Sequence, residues 1–288
     1  MNDTFKVSLI ITTYNWPGAL RRTLQSALSQ SRPPDEIIVA DDGSDEETAE
    51  TVMEVLGPTS TIWRHVRHAD LGVRQSRIKN LAVKHSQGSY LVFVDHDVVL
   101  HPDFVRDHVS MAREGTFLQG KRAFLPREHT KRVIEGGFSP PRTWSGGIGN
   151  RKNAVRLPIL GRLLAREKGF QTILRGCNLS MFRKDFLRVD GFDEVFDRSW
   201  GREDSDICYR LFHSGIKIRN LWFLALQYHL EHEVVTRWEK ERLDRELKRN
   251  IDEKRTFAIH GFSKLSDEGG VVAGSDMGRD PEDGGKEP

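Results

Sequence analysis

Tyr90-Leu91-Val92-Phe93-Val94-Asp95-His96-Asp97 is an apolar run that ends in two carboxylates one residue apart. A short run of large and β-branched side chains reads as a strand buried on both faces. Acids at the mouth of such a strand are costly unless a cation sits with them. Strand side chains alternate with a period of two, so Asp95 and Asp97 share a face and His96 takes the other. Paired oxygen ligands suit a hard divalent ion, Mg2+ or Mn2+, which keeps positions open for phosphate groups. Taken alone, the pattern equally describes solvated acids in a turn after a core strand, and the neighbouring segments decide between the two.

Working outward, the chain alternates strand and helix patterns. Val7 to Thr12 reads as a buried strand, and Pro17 to Ser29 as a helix with Leu20, Leu24 and Leu28 on one stripe. Glu36 to Ala40 is a second strand, closed by Asp41-Asp42-Gly43-Ser44, where Ser44 or Asp45 can cap a helix over 46–56. Thr61 to His65 reads as a third strand and Val73 to His85 as a third helix. This spacing predicts βαβ units and a parallel sheet, in which ligands bind beyond the carboxyl ends of the strands. Thr12-Thr13-Tyr14-Asn15, Asp41-Asp42 and Asp95-His96-Asp97 all fall at such ends.

Residues 126–168 are rich in Gly, Pro and Arg and read as irregular and basic. Beyond them come a helix or turn over Phe182–Val189, a helix over Asp204–His213, a strand-like run from Lys217 to Leu226 and a charged helix from Thr236 to about Arg255. The glycine-rich, acidic stretch from Ser263 reads as a disordered tail. The expected organisation is one α/β domain over 5–235, with a nucleotide-binding half at 5–125 and an acceptor-binding half at 126–235. A charged helix at 236–262 and a tail at 263–288 follow.

With 288 residues, 37% of them hydrophobic and 30% charged, the composition is that of a soluble globular protein. A formal charge of +2 gives no signal for nucleic acid. Cys177 and Cys208 lack metal or disulfide spacing, which fits a reducing compartment. No signal peptide or run of about 18 apolar residues is present, so a cytoplasmic protein is expected. One membrane option is peripheral contact at the inner face of the cell membrane. Arg151, Lys152, Arg156, Arg162, Arg166 and Lys168 flank short leucine-rich runs, a pattern that suits anionic lipid or an anionic acceptor as well as an ordinary surface loop.

These segments, in this order, resemble the family 2 glycosyltransferases of the GT-A fold, a Rossmann-like, mostly parallel sheet flanked by helices. The resemblance covers roughly residues 6–232. It is carried by Val7 to Asn15, Val39 to Ser44, Gly72 with Lys79-Asn80, Asp95-His96-Asp97, Arg175 to Ser180 and Gly191-Phe192-Asp193-Glu194. Trp200-Gly201-Arg202-Glu203-Asp204-Ser205-Asp206 is similar to a segment of the galactosyltransferase C-terminal module and of chondroitin-polymerase-like enzymes. Two positions depart from the pattern. Lys79 stands where the family usually has Arg, which keeps the charge and loses bidentate geometry. Val189-Asp190 precedes Gly191 where a second Gly is common.

The resemblance implies transfer of a sugar, with inversion, from a nucleotide donor to a saccharide or glycolipid acceptor in polysaccharide or glycolipid synthesis. The donor is expected to be a UDP-sugar, since a carboxylate accepts the uracil N–H. Such chemistry needs a cation on the leaving diphosphate and a base on the incoming hydroxyl. Asp97 is implied as first metal ligand, with Asp95 on the ribose or ion. His229 is implied to complete the ligand set, with His232 as the alternate. Thr13, Tyr14, Asn15, Asp41, Asp42, Arg74 and Lys79 are candidate donor contacts. Asp204 is the implied base and Glu203 orients a substrate, while Trp200 and Asn178 are candidate acceptor contacts. Each has an ordinary structural alternative: turn chemistry for Asp41-Asp42, a helix start for Glu203-Asp204, packing for His96 and Trp200. A sugar-phosphate nucleotidyltransferase is the competing enzyme reading, although its glycine-rich opening loop is missing from Ser8 to Tyr14. A non-catalytic nucleotide- or saccharide-binding protein is the competing non-enzyme reading.

Overall fold

The computed structural model describes residues 5–136, 147–169, 177–233 and 239–275. Its first half is the predicted alternation: β1 (Val7–Thr13), α1 (Pro17–Leu28), β2 (Glu36–Asp41), α2 (Glu46–Leu56), β3 (Ile62–Arg67), α3 (Gln75–Lys84) and β4 (Tyr90–Asp95). The four strands run parallel in the spatial order β3-β2-β1-β4. Every residue of β1 and β2 is buried, as helices on both faces require. Alternation sorts the side chains into two cores. Ile10, Ile38 and Phe93 cluster with Ile78, Leu81 and Ala82 of α3, while Leu9, Ile11 and Val92 cluster with Leu20, Leu24 and Val52 of α1 and α2. Of the two possible caps for α2 it is Asp45 that serves, its side chain accepting from the Thr48 amide at 3.4 Å.

The register of the ladders then fixes the site. Thr13 lies beside Asp41, Thr12 beside Asp95, and Asp41 beside Arg67. The polar clusters that end β1, β2 and β4 therefore meet along one carboxyl edge.

The second half adds β5 (Val98–Leu100), α4 (Phe104–Met111), β6 (Thr116–Gln119), β7 (Arg122–Phe124), α5 (Arg127–Ile134), α6 (Pro158–Leu164) and β8 (Glu167–Lys168). It continues through β9 (Asn178–Phe182), α7 (Arg183–Arg188), α8 (Glu203–His213), β10 (Lys217–Asn220), β11 (Gln227–His229), α9 (Lys240–Asp252) and β12 (Gly270–Gly274). The main sheet has the order β12-β3-β2-β1-β4-β9-β6-β10-β8, with β9 antiparallel to β4. A small sheet, β5-β11-β7, stands beside it.

Four sequence expectations need correction. The described parts of the stretch expected to be irregular, 126–136 and 147–168, hold α5 and α6, with 137–146 outside the described residues; Leu125, Val133, Ile148 and Ala154 cluster with Tyr228 and Leu230 of the small sheet and its edge. Of the strand-like run 217–226 only β10, Lys217–Asn220, is a strand; Phe223 and Ala225 take left-handed φ values of 61° and 47°, and the chain turns to the small sheet, where β11 begins at Gln227. The charged helix begins at Lys240 and keeps one apolar stripe, Leu243 and Leu247, against the core. The stretch 263–275 is ordered: β12 pairs antiparallel with β3, and Val271 packs against the core. Polar composition suggested a tail, but the unpaired edge of β3 offers backbone donors and acceptors that a neighbouring segment can satisfy. Residues 276–288, Arg175 and Gly176, and Thr236 lie outside the described residues.

Candidate active site

Asp97 lies between β4 and β5, immediately before Val98, and the small sheet brings its partners from far along the chain. β11 runs antiparallel to β5 with His229 opposite Val98, and the Leu230 amide donates to the Asp97 carbonyl at 2.8 Å. His229 Nε2 thereby lies 3.0 Å from Asp97 Oδ2, and His232 Nε2 lies 3.1 Å from the same oxygen. One donor atom from each of the three side chains falls within 4.8 Å of the others. Asp97 Oδ1 and His229 Nδ1 are buried without hydrogen-bond partners. Trp16 covers the group, its ring meeting His232 edge-on at 5.4 Å between centroids. Burial alone pushes the Asp97 carboxyl up, but hydrogen bonds from His229 and His232 outweigh it and hold the group well below its ordinary range. The Asp97 bond in turn raises His232. Asp95 is raised by burial and then by repulsion from Asp97. Two imidazoles and a carboxylate with an unused, buried oxygen fit a divalent ion, and the nitrogen content favours Mn2+ over Mg2+. The expected ligands were Asp97, Asp95 and His229. In the structure His232 joins Asp97 and His229, and Asp95 is outside that trio. His96 turns away, with Nδ1 3.1 Å from the Thr12 carbonyl.

The second acidic pair opens α8. Gly201 and Arg202 both take positive φ, 102° and 82°, which turns the chain sharply into a first turn bearing Glu203, Asp204 and Asp206. Acids are favoured there by the helix dipole. Glu203 Oε1 accepts from Lys79 Nζ at 3.0 Å, with both side chains about 8% exposed. Burial lowers Lys79, but Glu203, Asp95 and Asp204 together drive it well above its ordinary value. One ammonium thus lies within the fields of Asp95, Glu203 and Asp204, and Asp97 acts in turn on Asp95. Asp206 is different. It is wholly buried, paired with Arg210 and held by Asn250 of α9 at 2.6 Å, so it locks two helices together.

The donor-side candidates divide. Thr13 is buried with a hydroxyl that has no partner. Asn15, at φ 43°, ties its loop to the next: its amide donates to Ser44 Oγ at 3.1 Å and its side-chain oxygen accepts from the Asp45 amide at 2.8 Å. The Tyr14 hydroxyl donates to Asp70 at 3.2 Å. Gly43 passes so close to the loop bearing Asp70 that an added Cβ would fall 2.6 Å from the Asp70 Cα. Asp41 and Asp42 are both buried. Asp41 accepts from His65 and from the Ser44 amide, each at 2.8 Å; burial raises it, but these bonds win and leave it lowered. Asp42 accepts from His68 at 2.7 Å and from the Arg74 amide, yet burial prevails and raises it.

Three residues sit otherwise than expected. Asn178 is fully buried; its side chain donates to the carbonyls of Lys121 and Ala225 and meets His108 Nε2 at 2.9 Å, so every polar atom is used in the core. It does not face an acceptor. The Arg74 guanidinium is engaged by Glu268 at 3.0 Å, and Arg77 by Ser266 and the Glu268 carbonyl, all from the stretch expected to be disordered. Lys79 is buried among carboxylates instead of lying open to phosphate. Trp200 is half-buried, just ahead of α8. Sequence reasoning missed Arg122. It sits in β7 opposite Gln227, its charge acts on Asp95, His232 and Cys177, and its Nε is buried without a partner. Its only sequence signal is a cation in a strand-like run, which many surface residues share.

The fold is that of the GT-A glycosyltransferases, as the likeness to their solved structures shows. The model of glycosyl transferase family 2 matches residues 8–189, and the chain belongs to that family. A second model, described as the N-terminal domain of galactosyltransferase, matches residues 165–233. Among curated relatives, validoxylamine A glucosyltransferase of Streptomyces hygroscopicus subsp. limoneus is 29% identical over 246 residues, covering 79% of this chain and 53% of that protein. Chondroitin synthase of Escherichia coli is 27% identical over 248 residues, covering 78% and 34%. The chain thus spans about half, or less, of the length of these relatives. Among solved structures, S. aureus TarS 1–349 in complex with UDP-GlcNAc superposes with a TM-score of 0.60 at 17% identity, covering 86% of this chain and 66% of that one. The mannosyltransferase PcManGT from Pyrobaculum calidifontis, in complex with GDP-Man and Mn2+, gives 0.56 at 17%, covering 80% and 59%. No helix among the described residues is long and apolar enough to cross a membrane.

Proposed function

We propose that this glycosyltransferase moves a sugar, with inversion, from a UDP-sugar to a hydroxyl of a saccharide or glycolipid acceptor during polysaccharide or glycolipid assembly. The observation that carries the reading is that Asp97, gathered with His229 and His232, acts on Asp95, while Asp95, Glu203 and Asp204 all act on Lys79, which Glu203 binds at 3.0 Å. Asp97, His229 and His232 are the ligands proposed for Mn2+, with Mg2+ the weaker fit. A bound divalent ion would supply charge compensation to the leaving diphosphate. Arg122, whose charge reaches the same cluster, adds a second cation on that side. Asp204, half-buried at the start of α8, is the proposed base that takes the acceptor hydroxyl proton. Glu203 is held by Lys79 and orients the reacting groups. Trp200 offers a ring face against which an acceptor sugar can stack.

Asp41 and Asp42 are engaged internally, so we assign them to positioning the donor loop, with Thr13 and Tyr14 nearer the nucleotide. The arrangement comprises a nucleotide-binding half, 5–125, and an acceptor half, 126–235. The two free thiols, Cys177 and Cys208, suit a cytoplasmic setting at the inner face of the membrane.

The test is a UDP-sugar screen with Mn2+, reading UDP release and product configuration by NMR. Asp204→Asn is expected to lower kcat by about 10²- to 10⁴-fold while leaving UDP affinity unchanged. Undiminished turnover in that variant removes Asp204 as base.

A further inference from the structure

We infer that α6 and its flanks form a docking surface for an anionic lipid bilayer. Five of the eight residues 157–164 are large apolar side chains left in solvent: Leu157 44%, Ile159 79%, Leu160 40%, Leu163 64% and Leu164 45% exposed. The helix is seated by its one residue without a side chain. A Cβ on Gly161 would fall 2.6 Å from Leu224 and 2.7 Å from the Trp222 carbonyl, so the backbone of α6 rests directly on the 222–224 segment. At 100° per residue, Ile159 and Leu163 lie one turn apart on the side away from Gly161, in agreement with their being the two most exposed of the five. A helix with this much outward apolar surface needs an apolar neighbour.

Charge selects the neighbour. Arg151, Lys152, Arg162, Arg166 and Lys168 are exposed around the apolar face. Glu167 is the single acid between residues 147 and 169, and Arg113 and Lys217 occupy it. Arg156 is taken by Asp103 and Asp107, while the other five bases are exposed. Half-buried Trp222 lies below Lys121 and Lys152, 4.8 and 5.2 Å from its ring, a combination suited to the headgroup layer. Apolar side chains ringed by exposed cations match a surface that is apolar within and anionic outside, which describes acidic phospholipid and not the mixed-charge exterior of a typical protein. Trp222 also lies between β10 and β11, on the arm that carries His229, so docking here would set the acceptor half of the site against the bilayer.

Co-sedimentation of the full chain with vesicles tests this, and it needs no donor turnover, so its outcome is separate from that of the sugar-transfer reading. Binding is expected to phosphatidylcholine vesicles containing about one-third phosphatidylglycerol, and not to phosphatidylcholine alone. Arg162→Gln/Arg166→Gln is expected to weaken binding about 25-fold, from roughly fivefold per cation, with 1 M salt acting in the same direction. Ile159→Gln/Leu163→Gln is expected to weaken it by more than about tenfold, with an unchanged melting temperature because both side chains already face solvent. Absence of vesicle binding, equal binding by Ile159→Gln/Leu163→Gln, or a wild-type dimer by light scattering that this variant converts to monomer would overturn the proposal.

Discussion

Replacing Lys79 with Met should reveal how the acidic cleft is held together. The ammonium is 3.0 Å from Glu203, both side chains are nearly buried, and its charge also acts on Asp95 and Asp204. At that separation and an effective dielectric near 20, the Coulomb attraction is about 5 kcal/mol. In the folded wild type, desolvation of both ions offsets much of it. In Lys79→Met the attraction disappears while Glu203 stays desolvated, facing Asp95 and Asp204 with nothing between. The expected loss is therefore about 3–5 kcal/mol of unfolding free energy. It is measured from urea unfolding followed by tryptophan fluorescence. Adding Glu203→Gln should recover at least half of the loss, because the neutral amide leaves one fewer buried charge uncompensated. A loss below about 1 kcal/mol, or a double variant no more stable than Lys79→Met, would show that the pair is solvated and that the neutralisation argument is wrong.

Further outcomes concern the ion, acidity and the C-terminal strand. Mn2+ at about 100 times its Kd should stabilise the wild type by about 2.7 kcal/mol, and calorimetry should find this gone in Asp97→Asn and reduced in His229→Ala and His232→Ala; equal stabilisation of all four proteins would exclude the trio as ligands. His108 is fully buried between Asn178 and Ser180, and burial lowers it to about 4. Its contribution is fully present above about pH 6.5 and is lost as pH falls toward 4, costing about 3 kcal/mol, and His108→Gln should flatten that part of the stability curve. Gly269 has φ +87°, and an added Cβ would lie 2.8 Å from that of His68, so Gly269→Ala should destabilise by about 1–3 kcal/mol, whereas a neutral effect would mean β12 does not hold to β3.

What was legible in the sequence is what depends on local periodicity. The largely apolar strands and the leucine stripe of α1 yield the parallel sheet, and its carboxyl edge gathers Thr13, Asp41 and Asp95. Partnerships across long separations were not legible. Nothing near Asn178 says that His108, Lys121 and Ala225 will consume its amide, and nothing near Arg74 says that Glu268 will reach it. Whether His229 or His232 joined Asp97 was open from spacing; the turn after β11 brings both. Composition misled at 263–275, because a glycine-rich acidic stretch looks the same whether or not an empty strand edge awaits it. Arg122 went unnoticed because its meaning comes from a small sheet that periodicity does not announce.

The ladder joining β5 to β11 has a consequence for how the Asp97–His229–His232 cluster comes into being. Asp97 and His232 are 135 residues apart. Closing so long a loop is entropically expensive until the intervening chain has packed. A nascent chain that has emerged only through residue 125 would thus carry the aspartate yet have no cluster, and capture of a cation there would report that β11 has docked on β5.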